Sequence, residues 1–271
     1  MNPLDFIRYT ARTNCGECGQ PTCLAFSVAV IKGGVDPSRC SYLDPAGLEC
    51  GTMQSSEGGM ERVGRGQEQR DMALVAHLKA KIKGVDFSSI ARRIGAEWSA
   101  EQPALLKFRY LGRLVELAKD GLRMEGNALV DPRDQILLYN YVSFGGSDPP
   151  AGDWIGMESL PNSISKVRTL SAYCEQPLAR RFAGRADRLA RVCEMAGGKP
   201  ANQDSNATVA FIIPVLPHLP HYLLFWDEEP EDGFSSRVKV LFDHHVLDYL
   251  DIESLVFAAE RMAEHLLELD C

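Results

Sequence analysis

Four cysteines stand close to the N-terminus: Cys15, Cys18, Cys23 and Cys40, spaced C-x2-C-x4-C-x16-C. A thiolate is a soft ligand, and four around one point suit an iron–sulfur cluster or zinc. Structural zinc usually takes two separated short knuckles. Here three cysteines crowd one tight loop and the fourth arrives alone after a helix-length gap, which favours a cubane [4Fe-4S] cluster. Gly16 and Gly19 each follow a ligand, where the chain must turn sharply, and glycine tolerates such backbone angles. A disulfide framework, or four unrelated thiols, is the competing reading. Clustered cysteine without a secretion signal points instead to metal or redox chemistry.

Two short elements must position these thiols. Asn2-Pro3 opens a helix carrying Leu4, Phe6, Ile7 and Tyr9 into the loop. Pro21-Thr22 opens a second, with Leu24, Ala25, Val28 and Ile31 on one face and Gly33-Gly34 at its end. Cys23 falls in its first turn, where the partial positive charge of a helix N-terminus suits a negatively charged cluster. Asp36-Pro37-Ser38-Arg39 turns the chain back and presents Cys40. Cys50 is surplus to a set of four and reads as a non-ligand.

The run Thr13-Asn14-Cys15-Gly16-Glu17-Cys18-Gly19 with Pro21-Thr22-Cys23-Leu24-Ala25-Phe26 resembles a known module. It is the N-terminal [4Fe-4S] module of the corrinoid iron–sulfur protein large subunit. A related module occurs in the iron–sulfur subunit of membrane ferredoxin:NAD oxidoreductases. The resemblance covers about the first fifty residues. It implies that Cys15, Cys18, Cys23 and Cys40 are the cluster ligands. The corrinoid-binding barrel has no evident counterpart here.

The chain has 271 residues, so two domains are expected. Residues 1–50 read as the cluster module, 51–69 as a Gly- and Ser-rich linker, and 70–271 as a larger domain. The net charge of −8 argues against nucleic acid as the main partner. The first residues show no signal peptide, and no stretch approaches the roughly 18 apolar residues of a membrane span. A cytoplasmic protein of an anaerobic cell is expected.

In the larger part, Asp71 to Ile82 and Asp86 to Ile94 read as helices. Leu105 to Tyr110 and Arg113 to Ala118 alternate as strands, and Asp120-Gly121 extends them into a meander. A helix is expected over Asp134 to Val142, and a short strand over Trp154 to Met157. Helix follows over Ser171 to Ala196, broken at Gly184. Thr208 to Pro214 and Tyr222 to Trp226 form a hairpin joined by Arg237 to Phe242. Asp251 to Leu269 is the closing amphipathic helix. The mixture predicts an α+β fold.

The run from Val215-Leu216-Pro217 through Leu223-Leu224-Phe225-Trp226 resembles a second family, as do Val238-Lys239-Val240-Leu241-Phe242-Asp243 and Asp248-Tyr249-Leu250. Gly152-Asp153-Trp154-Ile155 and Ser159-Leu160-Pro161 fit its middle. This is an uncharacterised domain found behind the same iron–sulfur module in anaerobic bacteria and archaea. The resemblance covers residues 75 to 268 and implies an architecture, not an activity.

Other groups could do chemistry. His218, His221, His244 and His245 could bind a metal or supply an axial ligand, but read first as solvent-facing residues at strand ends. Cys174 and Cys193 read as buried apolar side chains, and Cys271 as a fraying terminus. Arg180, Arg181, Arg185, Arg188 and Arg191 read as a solvated basic helix face. No Walker or Rossmann phosphate loop is present.

These features predict a low-potential electron-transfer or accessory protein for an anaerobic metalloenzyme or corrinoid protein. Its partner would be a redox protein. The alternatives are a cofactor-binding reductase or methyl-transfer-related enzyme using the cluster, and a binding module in which the cluster is structural.

Overall fold

The computed structural model describes residues 6–31, 35–43, 57–126, 129–201, 206–229 and 231–270, with only the backbone of 57–68. The expected helix start at Asn2-Pro3, the stop at Gly33-Gly34, Cys50 and Cys271 lie outside them. The chain divides into two compact units, Met1–Asp71 and Met72–Cys271.

In the first unit a 3-10 turn at Ile7–Tyr9 precedes the cysteine loop, and helix α1 spans Cys23–Ile31. Thr22 caps this helix, its hydroxyl accepting the Ala25 N–H at 3.0 Å. A second 3-10 turn, Pro37–Arg39, is capped by Asp36, whose carboxylate accepts the Ser38 N–H. Phe6, Cys18, Phe26 and Val30 form a small apolar cluster, with Val35, Cys40 and Leu43 packed against it. A core this small offers little hydrophobic stabilisation, so bound metal would contribute to folding.

Helix α2 spans Glu57–Ile82. Residues 57–69, expected as irregular linker, are therefore helical. Four glycines in this stretch had suppressed its helix propensity at about 1 kcal/mol each. Val75, Leu78 and Ile82 on its last turns are buried.

The second unit is built on two antiparallel sheets. Strands β1 (Leu105–Tyr110), β2 (Arg113–Ala118) and β3 (Gly121–Met124) form a three-stranded meander. The second sheet runs in the order β4 (Trp154–Gly156), β8 (Arg237–Asp243), β7 (Leu219–Trp226), β6 (Val209–Leu216), β5 (Lys199–Pro200). Leu216 pairs with Leu219, so Pro217-His218 is a tighter turn than expected. Pro214 stands at a register shift in β6, where proline's missing donor is tolerated. Strand β4 covers only Leu241 to Asp243 of β8. Beyond it the Glu175 carboxylate accepts the Val240 N–H at 3.2 Å, and the Ser236 hydroxyl donates to the Ala179 carbonyl at 2.9 Å.

Helices pack against these sheets. After α3 (Phe87–Ile90), α4 (Pro132–Phe144) starts at an Asp131 cap with Pro132 in its first turn and ends at left-handed Gly145. Helix begins again at Ile164, earlier than expected: α5 (Ile164–Leu170) passes through a π turn, Ser171–Glu175, into α6 (Gln176–Phe182). Helix α7 (Ala186–Met195) follows the break at Gly184. The closing helix α8 (Ile252–Leu269) buries Leu255, Ala258, Ala259, Met262, Ala263 and Leu266. The result is α+β.

Candidate metal centre

The cysteine loop is shaped by left-handed backbone. Asn14, Gly16 and Gly19 have φ of 53°, 77° and 79°. Glycine reaches such angles without strain and asparagine is one of the few other residues that does so readily. The Gly19 N–H donates to the Gly16 carbonyl at 2.9 Å, closing the turn that carries Cys18. The Asn14 side-chain oxygen accepts the Cys23 N–H, joining the start of the loop to the first residue of α1. The Ser27 hydroxyl donates to the Cys23 carbonyl at 2.7 Å.

The four thiols differ in setting. Cys15 is exposed, Cys18 and Cys23 are buried, and Cys40 is half-buried. Cys18 and Cys40 share the Phe6–Phe26 cluster. At the solvent side the Tyr42 hydroxyl donates to Glu17 Oε1 at 3.4 Å. Glu17 chiefly, then partial desolvation, with Cys15 and Cys40 adding, raises the Tyr42 phenol above its ordinary range. Among the described residues, no three His, Cys, Asp or Glu side chains converge closely enough to hold a metal ion. The structure brings the ligand-bearing segments together without closing the thiols on one centre. The donor set nevertheless fits a metal–sulfur group: all four are free thiols, and none is spent in a disulfide.

Cys174 and Cys193 are fully buried. Burial, reinforced by Glu175 and Glu260, pushes the Cys174 thiol far up; burial and Glu194 push Cys193 up to about 12. Both remain protonated core side chains.

The histidines do not form one site. His221 is fully buried, not solvent-facing, and burial lowers its pKa to about 4. Its ring meets the Phe242 ring edge-on at 5.0 Å, and neither nitrogen makes a well-formed hydrogen bond, with the Leu219 and Pro220 backbone the polar groups nearest the ring. The strand pairing of His221 with Phe242 and Ile213 draws it into the core. His218 Nδ1 donates to the Arg93 carbonyl at 2.7 Å. His244 and His245 stack edge to face at 5.5 Å, with His245 Nδ1 3.6 Å from Asp248.

The basic helix face is also more than a solvated surface. Arg181, Arg185 and Arg188 converge on Asp270, whose side chain is fully buried. Arg185, Arg188 and Arg191 line an open cavity of about 480 Å³ together with Asp187 and Asp227. A second polar network escaped the sequence because its members lie far apart along the chain. Arg261 grips buried Asp134 with two hydrogen bonds of 2.8 and 2.7 Å, and the Tyr110 hydroxyl donates to the same carboxylate at 2.9 Å. Among the supporting residues of the loop, Gly16, Gly19 and Thr22 were legible in the sequence, while the Asn14 bond to Cys23 was not.

Fold and sequence together give an N-terminal segment that carries four free thiols, followed by an α+β unit. The chain belongs to the family described as a domain of unknown function, DUF3786, whose model matches residues 86–265. Residues 11–42 match an Fe-S cluster family and contain all four cysteines, which gives this part as an iron–sulfur module. This segment is similar to that of the acetyl-CoA decarbonylase/synthase complex subunit gamma 2 of Methanosarcina mazei. The two are 57% identical over 42 residues, 16% of this chain and 9% of that subunit. It is also similar to the corrinoid/iron-sulfur protein large subunit of Moorella thermoacetica, 39% identical over 49 residues, 18% of this chain and 11% of the other. The chain therefore spans only about a tenth of the length of these relatives. No solved structure matches. Among the described residues, no helix is long and apolar enough to cross a membrane.

Proposed function

We propose that Cys15, Cys18, Cys23 and Cys40 bind one [4Fe-4S] cluster and that the protein is a low-potential electron-transfer or accessory protein. When bound, such a cluster supplies reversible one-electron transfer. The supporting observation is that the segment similar to the corrinoid and acetyl-CoA decarbonylase proteins holds four free thiols, supported by a shared loop–helix framework. Cys18 and Cys23, the buried pair, would hold the group on its protein side. Exposed Cys15 and half-buried Cys40, with Tyr42 and Glu17 beside them, form the edge that a partner approaches. The partner is a corrinoid protein or another anaerobic metalloenzyme, and the DUF3786 domain serves as a docking or cofactor-binding domain.

Anaerobic purification with iron, sulfide and zinc analysis, followed by EPR before and after dithionite, tests this reading. About four irons per chain and a reversible couple on the order of −400 mV support it. Full iron content with no reducible state leaves the cluster as a structural staple.

A further inference from the structure

We propose that Arg39 is the positioning residue that sets the reduction potential of the N-terminal module. Its guanidinium would stabilise the extra negative charge of the reduced cluster. This rests on the redox reading above and deepens it by naming the responsible side chain.

Arg39 stands at the seam between the two ligand-bearing segments. It immediately precedes Cys40, and a Cβ added to Gly19, the residue after Cys18, would stand 3.7 Å from Arg39 Nη2. The turn beneath it is held in place. The Arg39 N–H donates to the Asp36 carbonyl at 3.1 Å, and the Cys40 N–H donates to the Pro37 carbonyl at 3.2 Å. Cys18, which precedes Gly19, and Cys40, which follows Arg39, pack in one apolar cluster. Among the described residues Arg39 has no ion-pair partner. Asp36 accepts the Ser38 N–H and Glu17 accepts the Tyr42 hydroxyl.

The charge argument is direct. A [4Fe-4S] cluster on four thiolates carries a net charge of about −2 when oxidised and −3 when reduced, and net charge is one of the settings of its potential. One electron arrives from a low-potential one-electron donor; no bond forms or breaks and no proton is required. Arg39 is exposed, and its cation beside the ligand loop attracts the reduced state more strongly by one unit of charge. It thereby shifts the couple upward.

The test is an EPR-monitored redox titration of the full chain loaded with its cluster, comparing wild type with Arg39→Gln, Arg39→Met and Arg39→Lys. Iron content is measured on each sample. The neutral variants are expected to keep their iron and lose about tenfold in the reduction equilibrium, a downward shift of 59 mV for one electron. Arg39→Lys is expected to stay near wild type. A neutral variant with full iron and an unchanged midpoint overturns the proposal. Loss of iron from both neutral variants also overturns it, making Arg39 a structural clamp. A wild-type cluster that cannot be reduced at all defeats the redox reading itself and is distinguished from both results.

Discussion

The side-chain oxygen of Asn14 accepts the backbone N–H of Cys23 at 2.8 Å, across the whole ligand loop. One hydrogen bond thus fixes the spacing between the residue before Cys15 and the start of α1. It also satisfies one of the otherwise free N–H groups of that helix. Asn14→Ala is predicted to weaken the loop by about 1 kcal/mol. Chelator challenge of the loaded protein reads this as faster iron loss than wild type. Equal rates would show that the bond does not support the site.

The ligand set makes a second prediction. Cys40→Ala is expected to abolish the cluster or leave a degraded one. Cys50→Ala, outside residues 11–42, is expected to retain about four irons per chain, the full content of one cubane. Full iron content in the Cys40 variant would remove Cys40 from the ligand set.

His221 gives a pH prediction. Burial holds the folded ring near a pKa of about 4, against an ordinary value of 6.5. Between those values the unfolded chain binds more protons. This contribution is complete above pH 6.5 and is lost as pH falls toward 4. The full loss is about 3 kcal/mol, at 1.36 kcal/mol for each pKa unit. His221→Phe, set beside Phe242, should therefore gain stability relative to wild type as pH falls through this window. All three tryptophans, Trp98, Trp154 and Trp226, lie in the second unit and report its unfolding in urea. A stability difference independent of pH would sink the argument.

The Tyr110–Asp134–Arg261 network supplies a fourth test. Asp134→Ala leaves the Arg261 guanidinium, only 20% exposed, with Glu264 as its remaining carboxylate partner. Breaking one half of such a pair is predicted to cost about 3–5 kcal/mol. The double variant Asp134→Leu, Arg261→Met removes both charges and should recover much of that loss. Equal destabilisation of single and double variants would show that packing, not charge, sets the effect.

Legibility followed locality. Strands β1 and β2 match their expected limits to the residue, because alternating side chains and a two-residue turn are written locally. The closing helix was equally plain from its apolar stripe. By contrast, the start of α2 at Glu57 was hidden by Gly58, Gly59, Gly64 and Gly66. The π turn at Ser171–Glu175 has no simple periodic signature. Pairing decides the fate of His221, and distant helices bring three arginines to Asp270. The cysteine spacing exposed the metal-binding chemistry, while Tyr42 and Arg39 acquired meaning only when the second segment folded back beside the first.

The Glu175 side chain has a consequence for self-assembly. Beyond the reach of β4, no described strand pairs with the lateral border of β8, the kind of edge to which a second polypeptide could add a strand. The carboxylate on Val240 occupies that docking line, and the Ser236–Ala179 bond fixes the adjoining chain. These contacts act as a stop on sideways growth of the sheet. Glu175→Ala is predicted to bring concentration-dependent oligomers with added β-structure, measured by light scattering and infrared spectroscopy. A variant as monodisperse as wild type at every concentration would show that the border is guarded by α6 itself, leaving the carboxylate no separate part in keeping chains apart.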